Sequence, residues 1–229
     1  KANRKKILSG EYYRYSVKLT ELIPGQSYFF EIGDGVVFDS PGSFEAPEAR
    51  GDTQLLYLGD VQCGDSIEGY RRWENMTKEA LRENSKIDFA VAGGDMINIP
   101  ASEDQWNGFL DSCDIFSSLP LMTVPGNHEG VHSNKTYSKI FSEPDNGPDW
   151  EGCESKDDTA AEPAFYWFDY GVCRFVMLDS SFFTKERRET TGEEQWLKQE
   201  KETEKWLKLV LKSSKAEWNI AVMHHPPYG

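Results

Sequence analysis

The stretch LMTVPGNHEG, Leu121 to Gly130, decides the fold. Its first half is a short apolar run that predicts a strand, and Pro125 and Gly126 end it. Asn127, His128 and Glu129 then offer an amide, an imidazole and a carboxylate in succession. Alone, such a run is any polar turn. Its meaning depends on whether other strands finish the same way, and three do. LLYLGD closes on Asp60, FAVAGGD on Asp95, and NIAVMHH on His224 and His225.

Working outward, apolar runs alternate with helical stretches from Gln54 onward. SIEGYRRWENMTKEALREN places Ile67, Tyr70, Trp73, Ala80 and Leu81 at helical spacing. TTGEEQWLKQEKETEKWLKLVLK does the same with Trp196, Leu197, Trp206, Leu207, Val210 and Leu211, and Thr191 with Glu194 predicts a capping box at its start. These aromatic stripes are expected to be core. Alternating strands and helices predict a layered α/β domain. In open α/β sheets ligands gather beyond the carboxyl ends of strands, so Asp60, Asp95, Asn127, His128 and His224 are expected to converge. The glycines before Asp60, Asp95 and Asn127 fit tight strand-to-loop exits. A single Gly-Asp after a strand is more often a turn or cap than a ligand. Four such endings in one chain form a specific signal.

The order Gly-Asp, Gly-Gly-Asp, Gly-Asn-His-Glu, Val-Met-His resembles the calcineurin-like metallophosphoesterases, in particular the purple acid phosphatase-like branch with an N-terminal fibronectin-type domain. The resemblance implies a four-layer metallophosphoesterase-type β-sandwich flanked by helices over residues 54–229, preceded by a partial all-β fibronectin-like domain over residues 1–47. It implies two metal ions of Fe, Zn or Mn: Asp60 on the first, Asp95 bridging both, Asn127 and His224 on the second. His128 is similar to the histidine that contacts phosphate and protonates the leaving oxygen, and His225 takes a supporting place. The activity implied is hydrolysis of a small-molecule phosphate ester, as in acid phosphatases, with a metal-held hydroxide as nucleophile.

The chemistry of those residue types supports the same roles. Nucleophile and phosphate are both anionic, and two cations about 3.5–4 Å apart neutralise that charge and lower the pKa of a bound water. A charged carboxylate suits a bridge between cations. An alkoxide leaves badly, so an imidazole that titrates near neutrality suits a general acid. Three departures from the family pattern stand out. Asn98 occupies the place of the Tyr that gives purple enzymes their colour, so no such band is expected. Gln62 occupies the place of a His two residues after the first Asp. No Gly-His-x-His motif follows, and the chain looks cut at both ends.

The remaining readings are coarser. A net charge of −14 argues against holding nucleic acid or anionic membrane by bulk field. No apolar run reaches the roughly 20 residues of a membrane helix, and KANRKKILSG is not a signal peptide. Residues 1–47 read as three strands, too little core to stand alone. Cys63, Cys113, Cys153 and Cys173 lack metal-like spacing and leave two readings open, four buried thiols or one or two disulfides. The resemblance places the protein outside the cytoplasm. A phosphodiesterase or nucleotidase on the same scaffold is one alternative; a non-catalytic extracellular binding module is another.

Overall fold

The computed structural model describes residues 3–7, 12–48, 51–64, 67–117, 119–130, 136–151 and 163–228. Strands β1 (Asn3–Lys6) and β2 (Tyr13–Ser16) pair antiparallel, as do β3 (Ser27–Phe30) and β4 (Gly42–Glu45). Each pair is a separate two-stranded ladder. On one face of the second pair Tyr28 stacks on Phe44 at 5.5 Å. Its other face leaves Phe29 80% exposed. Strand β1 is additional to the three strands expected over residues 1–47, since the polar Asn3–Lys6 carries no apolar alternation.

Two three-stranded sheets follow. The first has order β5 (Leu55–Leu58), β6 (Phe89–Ala92), β7 (Leu121–Thr123), all parallel. The second has order β10 (Trp218–Met223), β9 (Cys173–Leu178), β8 (Tyr166–Tyr170), with β10 parallel and β8 antiparallel to β9. The sheets pack face to face through Phe89, Val91, Val124, Tyr166, Phe175, Met177 and Val222. Phe89 meets Phe175 edge-on at 5.2 Å. Strand β6 is buried on both faces, which is why it reads as an unbroken Phe-Ala-Val-Ala run rather than an alternation.

Helices cover the outer faces. On the first sheet, α1 (Ile67–Glu83), α2 (Glu103–Asp111), α3 (Asn127–Gly130) and α4 (Thr136–Ile140) follow one another in the chain, and Tyr70, Trp106, Phe109, Tyr137 and Ile140 bury Ala92, Met96 and Ile97. On the second, α5 (Lys185–Thr191) leads into α6 (Glu193–Ser213), whose Trp196, Trp206 and Val210 pack with Phe165, Val176 and Phe182. The order helix, sheet, sheet, helix is the expected layered α/β architecture. Burial on α6 follows 196, 199, 203, 206 and 210, so Leu197 and Leu211, each one residue off that stripe, are 45% and 44% exposed.

The capping box expected at Thr191 does not form. Gly192 at φ +87° separates two helices, and Thr191 ends the first of them, buried. The side chain that caps is Thr184, which accepts from the Arg187 N–H, while α6 starts on Gly192 with no side-chain cap. Cys63 and Cys173 are free thiols; Cys153 lies outside the described residues.

Candidate metal centre

Strands β5, β6 and β7 run parallel, so their exits open on one edge, and the start of the loop after β10 reaches it from the second sheet. Asp60 and Asp95 both take left-handed backbone conformations, φ 52° and 53°. Asp tolerates that region better than most residues, yet two in neighbouring loops is a concentration of strain of the kind found at functional sites. Backbone bonds tie the loops: Asp60 N–H to the Gly94 carbonyl at 3.2 Å and Gln62 N–H to the Asp95 carbonyl at 2.9 Å. The glycines allow this closeness. A Cβ on Gly94 would stand 2.7 Å from both Gly126 N and His224 Nδ1, and one on Gly126 only 2.1 Å from Asp95 Oδ1.

Ligand atoms of Asp60, Asp95 and His224 lie within 4.8 Å of one another. His224 Nε2 is 3.2 Å from Asp95 Oδ2 and 3.1 Å from Asn127 Oδ1. Its Nδ1 lies 3.0 Å from the Gly93 carbonyl, which can only accept, so Nδ1 carries a proton and Nε2 faces the carboxylate and amide oxygens. The hydrogen bond that Asp95 accepts raises the His224 pKa above its usual value, against the effect of burial. On Asp95, burial works against ionisation, but His224 and the His128 N–H hold the carboxyl below its usual range.

His128 sits across from His224. Its backbone N–H donates to Asp95 Oδ1 at 3.0 Å, its ring Nδ1 meets the Asn98 carbonyl at 2.6 Å, and its Nε2 lies 3.9 Å from Asp95 Oδ2. The side chain is 32% exposed, within reach of a solute. Asp95 thus has one oxygen tethered by the His128 N–H and the other facing two imidazoles, His224 at 3.2 Å and His128 at 3.9 Å. His225 turns away to Ser180, exchanging a 2.8 Å hydrogen bond through Nδ1 and donating its backbone N–H to the same hydroxyl. Ser181 Oγ in turn donates to the Gly126 carbonyl, joining the exit of β9 to that of β7.

All five residues singled out in the sequence, Asp60, Asp95, Asn127, His128 and His224, therefore belong to one cluster. The donor set fits a cation. Carboxylate, amide and imidazole donors suit Zn, Mn or Fe, and the second imidazole nitrogen of His224 is fixed by a backbone carbonyl, as in metal-ligating histidines generally. Two residues after Asp60 in the chain, the side-chain carbonyl oxygen of Gln62 is buried with no hydrogen-bond partner. Glu129 is the carboxylate that ends the Asn-His-Glu run. It is 1% exposed, and its carboxylate accepts backbone N–H groups from Asp95, Met96, Ile97 and Gly126. Burial pushes its carboxyl up to about 7 against the pull of those donors. The Glu in PGNHE was visible; its partners are main-chain atoms, which leave no sequence signal.

Residues 54–229 match the family model described as calcineurin-like phosphoesterase, and the chain belongs to that family. Among solved structures it is similar to purple acid phosphatase PPD1 isolated from yellow lupin (Lupinus luteus) seeds, at 19% identity and a TM-score of 0.59. That likeness covers 89% of this chain and 37% of the lupin chain, so this chain spans little more than a third of its length. No curated protein matches. No described helix is long and apolar enough to cross a membrane.

Proposed function

We propose that the protein hydrolyses small-molecule phosphate monoesters at a dinuclear metal centre held by Asp60, Asp95, Asn127 and His224, with His128 as general acid. The observation that carries this reading is the convergence of two carboxylates, an amide and two imidazoles from four strand exits on one point. Bound there, cations of Fe, Zn or Mn would neutralise phosphate charge and activate water. Asp95, whose Oδ1 accepts from the His128 N–H, would be the carboxylate shared by the cations. Asn127 would lend a neutral oxygen that leaves its cation electron-poor. His128, with Nδ1 held by Asn98, would present Nε2 to the leaving oxygen of an ester resting near Asp95. Gln62, two residues after Asp60 where the family pattern carries a His, has a buried oxygen without a hydrogen-bond partner that would be available to a cation.

The hairpins of residues 3–48 support reading that stretch as part of a fibronectin-like module. An extracytoplasmic location rests on the family resemblance, and the free Cys63 and Cys173 add nothing to it. The test is metal content together with turnover of an alkyl and an aryl phosphate by the full-length protein. The expected result is bound transition metal and an activity lost to a chelator and restored by added metal. Turnover that survives complete metal removal would refute the reading.

A further inference from the structure

Glu129 follows His128 directly and takes no place in the donor set. Its four hydrogen bonds are split between two loops. Oε2 accepts from Asp95 N and Gly126 N, both at 2.8 Å; Oε1 accepts from Met96 N at 2.8 Å and Ile97 N at 3.1 Å. Asp95, Met96 and Ile97 leave β6, whereas Gly126 leaves β7. One carboxylate closes two strand exits upon each other at a depth where water does not serve the backbone. Four buried N–H groups without an acceptor would each carry a desolvation cost.

We infer that Glu129 is a positioning residue for the metal centre: it holds Asp95 in its left-handed conformation and fixes the span from Asp95 to Asn127. The inference deepens the proposed function and rests on Asp95 and Asn127 being cation ligands. No neutral side chain of the same shape can replace it. A Gln at 129 has one acceptor oxygen and one NH₂ group, so either orientation turns an NH₂ toward two N–H donors. Asp keeps both acceptor oxygens on a stem one methylene shorter.

Two measurements on the full-length protein test this. The first is amide hydrogen exchange in chelator on wild type, Glu129→Gln and Glu129→Asp. In Glu129→Gln the amides of Asp95, Met96, Ile97 and Gly126 should exchange at least tenfold faster, while those of β9 and α6 keep wild-type protection. The second is Co(II) titration followed by its visible absorption. Affinity should fall about 10–100-fold in Glu129→Gln, the range for losing an outer partner of a metal ligand, and recover in part in Glu129→Asp. Should Glu129→Gln fail to fold, Glu129→Asp alone must show the same two changes to a smaller degree. Unchanged protection of the four amides, or unchanged Co(II) affinity despite their exposure, would overturn the inference. A wild-type protein that takes up no Co(II) would instead sink the hydrolase reading, and amide exchange would still decide whether Glu129 clamps the loops.

Discussion

His128 and Asp95 are joined twice: the His128 backbone N–H donates to Oδ1, and the His128 ring Nε2 stands 3.9 Å from Oδ2. The first contact belongs to the main chain and survives truncation of the side chain to Ala; the second does not. His128→Ala should therefore leave metal content near wild type. If the ring is the general acid, turnover of an alkyl phosphate should fall by about 10²–10⁴-fold, and turnover of an activated aryl phosphate much less, since its leaving oxygen needs no proton. Equal losses on both esters, or loss of metal, would assign the ring another role.

Asp95→Asn should lose metal and activity together. An amide oxygen carries no charge to hold two cations, and the hydrogen bond that raises the His224 pKa would weaken with it. Metal-to-protein ratio and turnover, measured on the same preparation, check this. An active Asp95→Asn protein with full metal content would remove Asp95 from the bridge.

Gly126→Ala tests the close packing of the loops. The new Cβ would meet Asp95 Oδ1 at 2.1 Å and Asp95 N at 2.5 Å, both in a region fixed by backbone bonds. Overpacking of this kind costs about 1–3 kcal/mol. Urea unfolding should show a lower midpoint with an unchanged slope, and metal affinity should fall as the loops part.

Asp179 gives a pH signature. It is buried at the exit of β9, accepting from Ser181 N, and burial lifts its carboxyl from 3.8 to about 6, with nearby Arg187 pulling the other way. Between those two values the folded state binds more protons than the unfolded state, so this group lowers stability as pH rises from about 4 to 6. The full difference is on the order of 3 kcal/mol. Asp179→Asn lacks that titration. Urea midpoints at several pH values should show the wild type losing ground to Asp179→Asn across this window and running parallel above it. Parallel curves throughout would rule out the shift.

What the sequence disclosed follows from what each feature is made of. Asp60, Asp95, Asn127 and His224 were legible because each is a side-chain donor set directly behind a strand, and a parallel sheet brings strand ends together whatever their separation in the chain. The core stripes of α1 and α6 were legible for the same reason: burial on a helix has a period. Glu129 was not, because its partners are four N–H groups common to every residue. The break at Gly192 was missed because Thr191 and Glu194 have the spacing of a cap, while burial of Thr191 withdraws its hydroxyl from that use. The β1–β2 pairing depends on a polar strand with no alternation to betray it.

The donors come from both sheets: Asp60, Asp95 and Asn127 from the exits of β5, β6 and β7, and His224 alone from β10. A slip of one sheet along the other by a single residue, about 3.3 Å, is as large as the 3.2 Å between His224 Nε2 and Asp95 Oδ2 and would break that contact. The aromatic contact between Phe89 and Phe175, one of those that seat the sheets on each other, thus acts as a gauge of the site. Truncating either ring should loosen the candidate site without touching it, and a cation bound there would in turn resist forces that shear the two sheets apart.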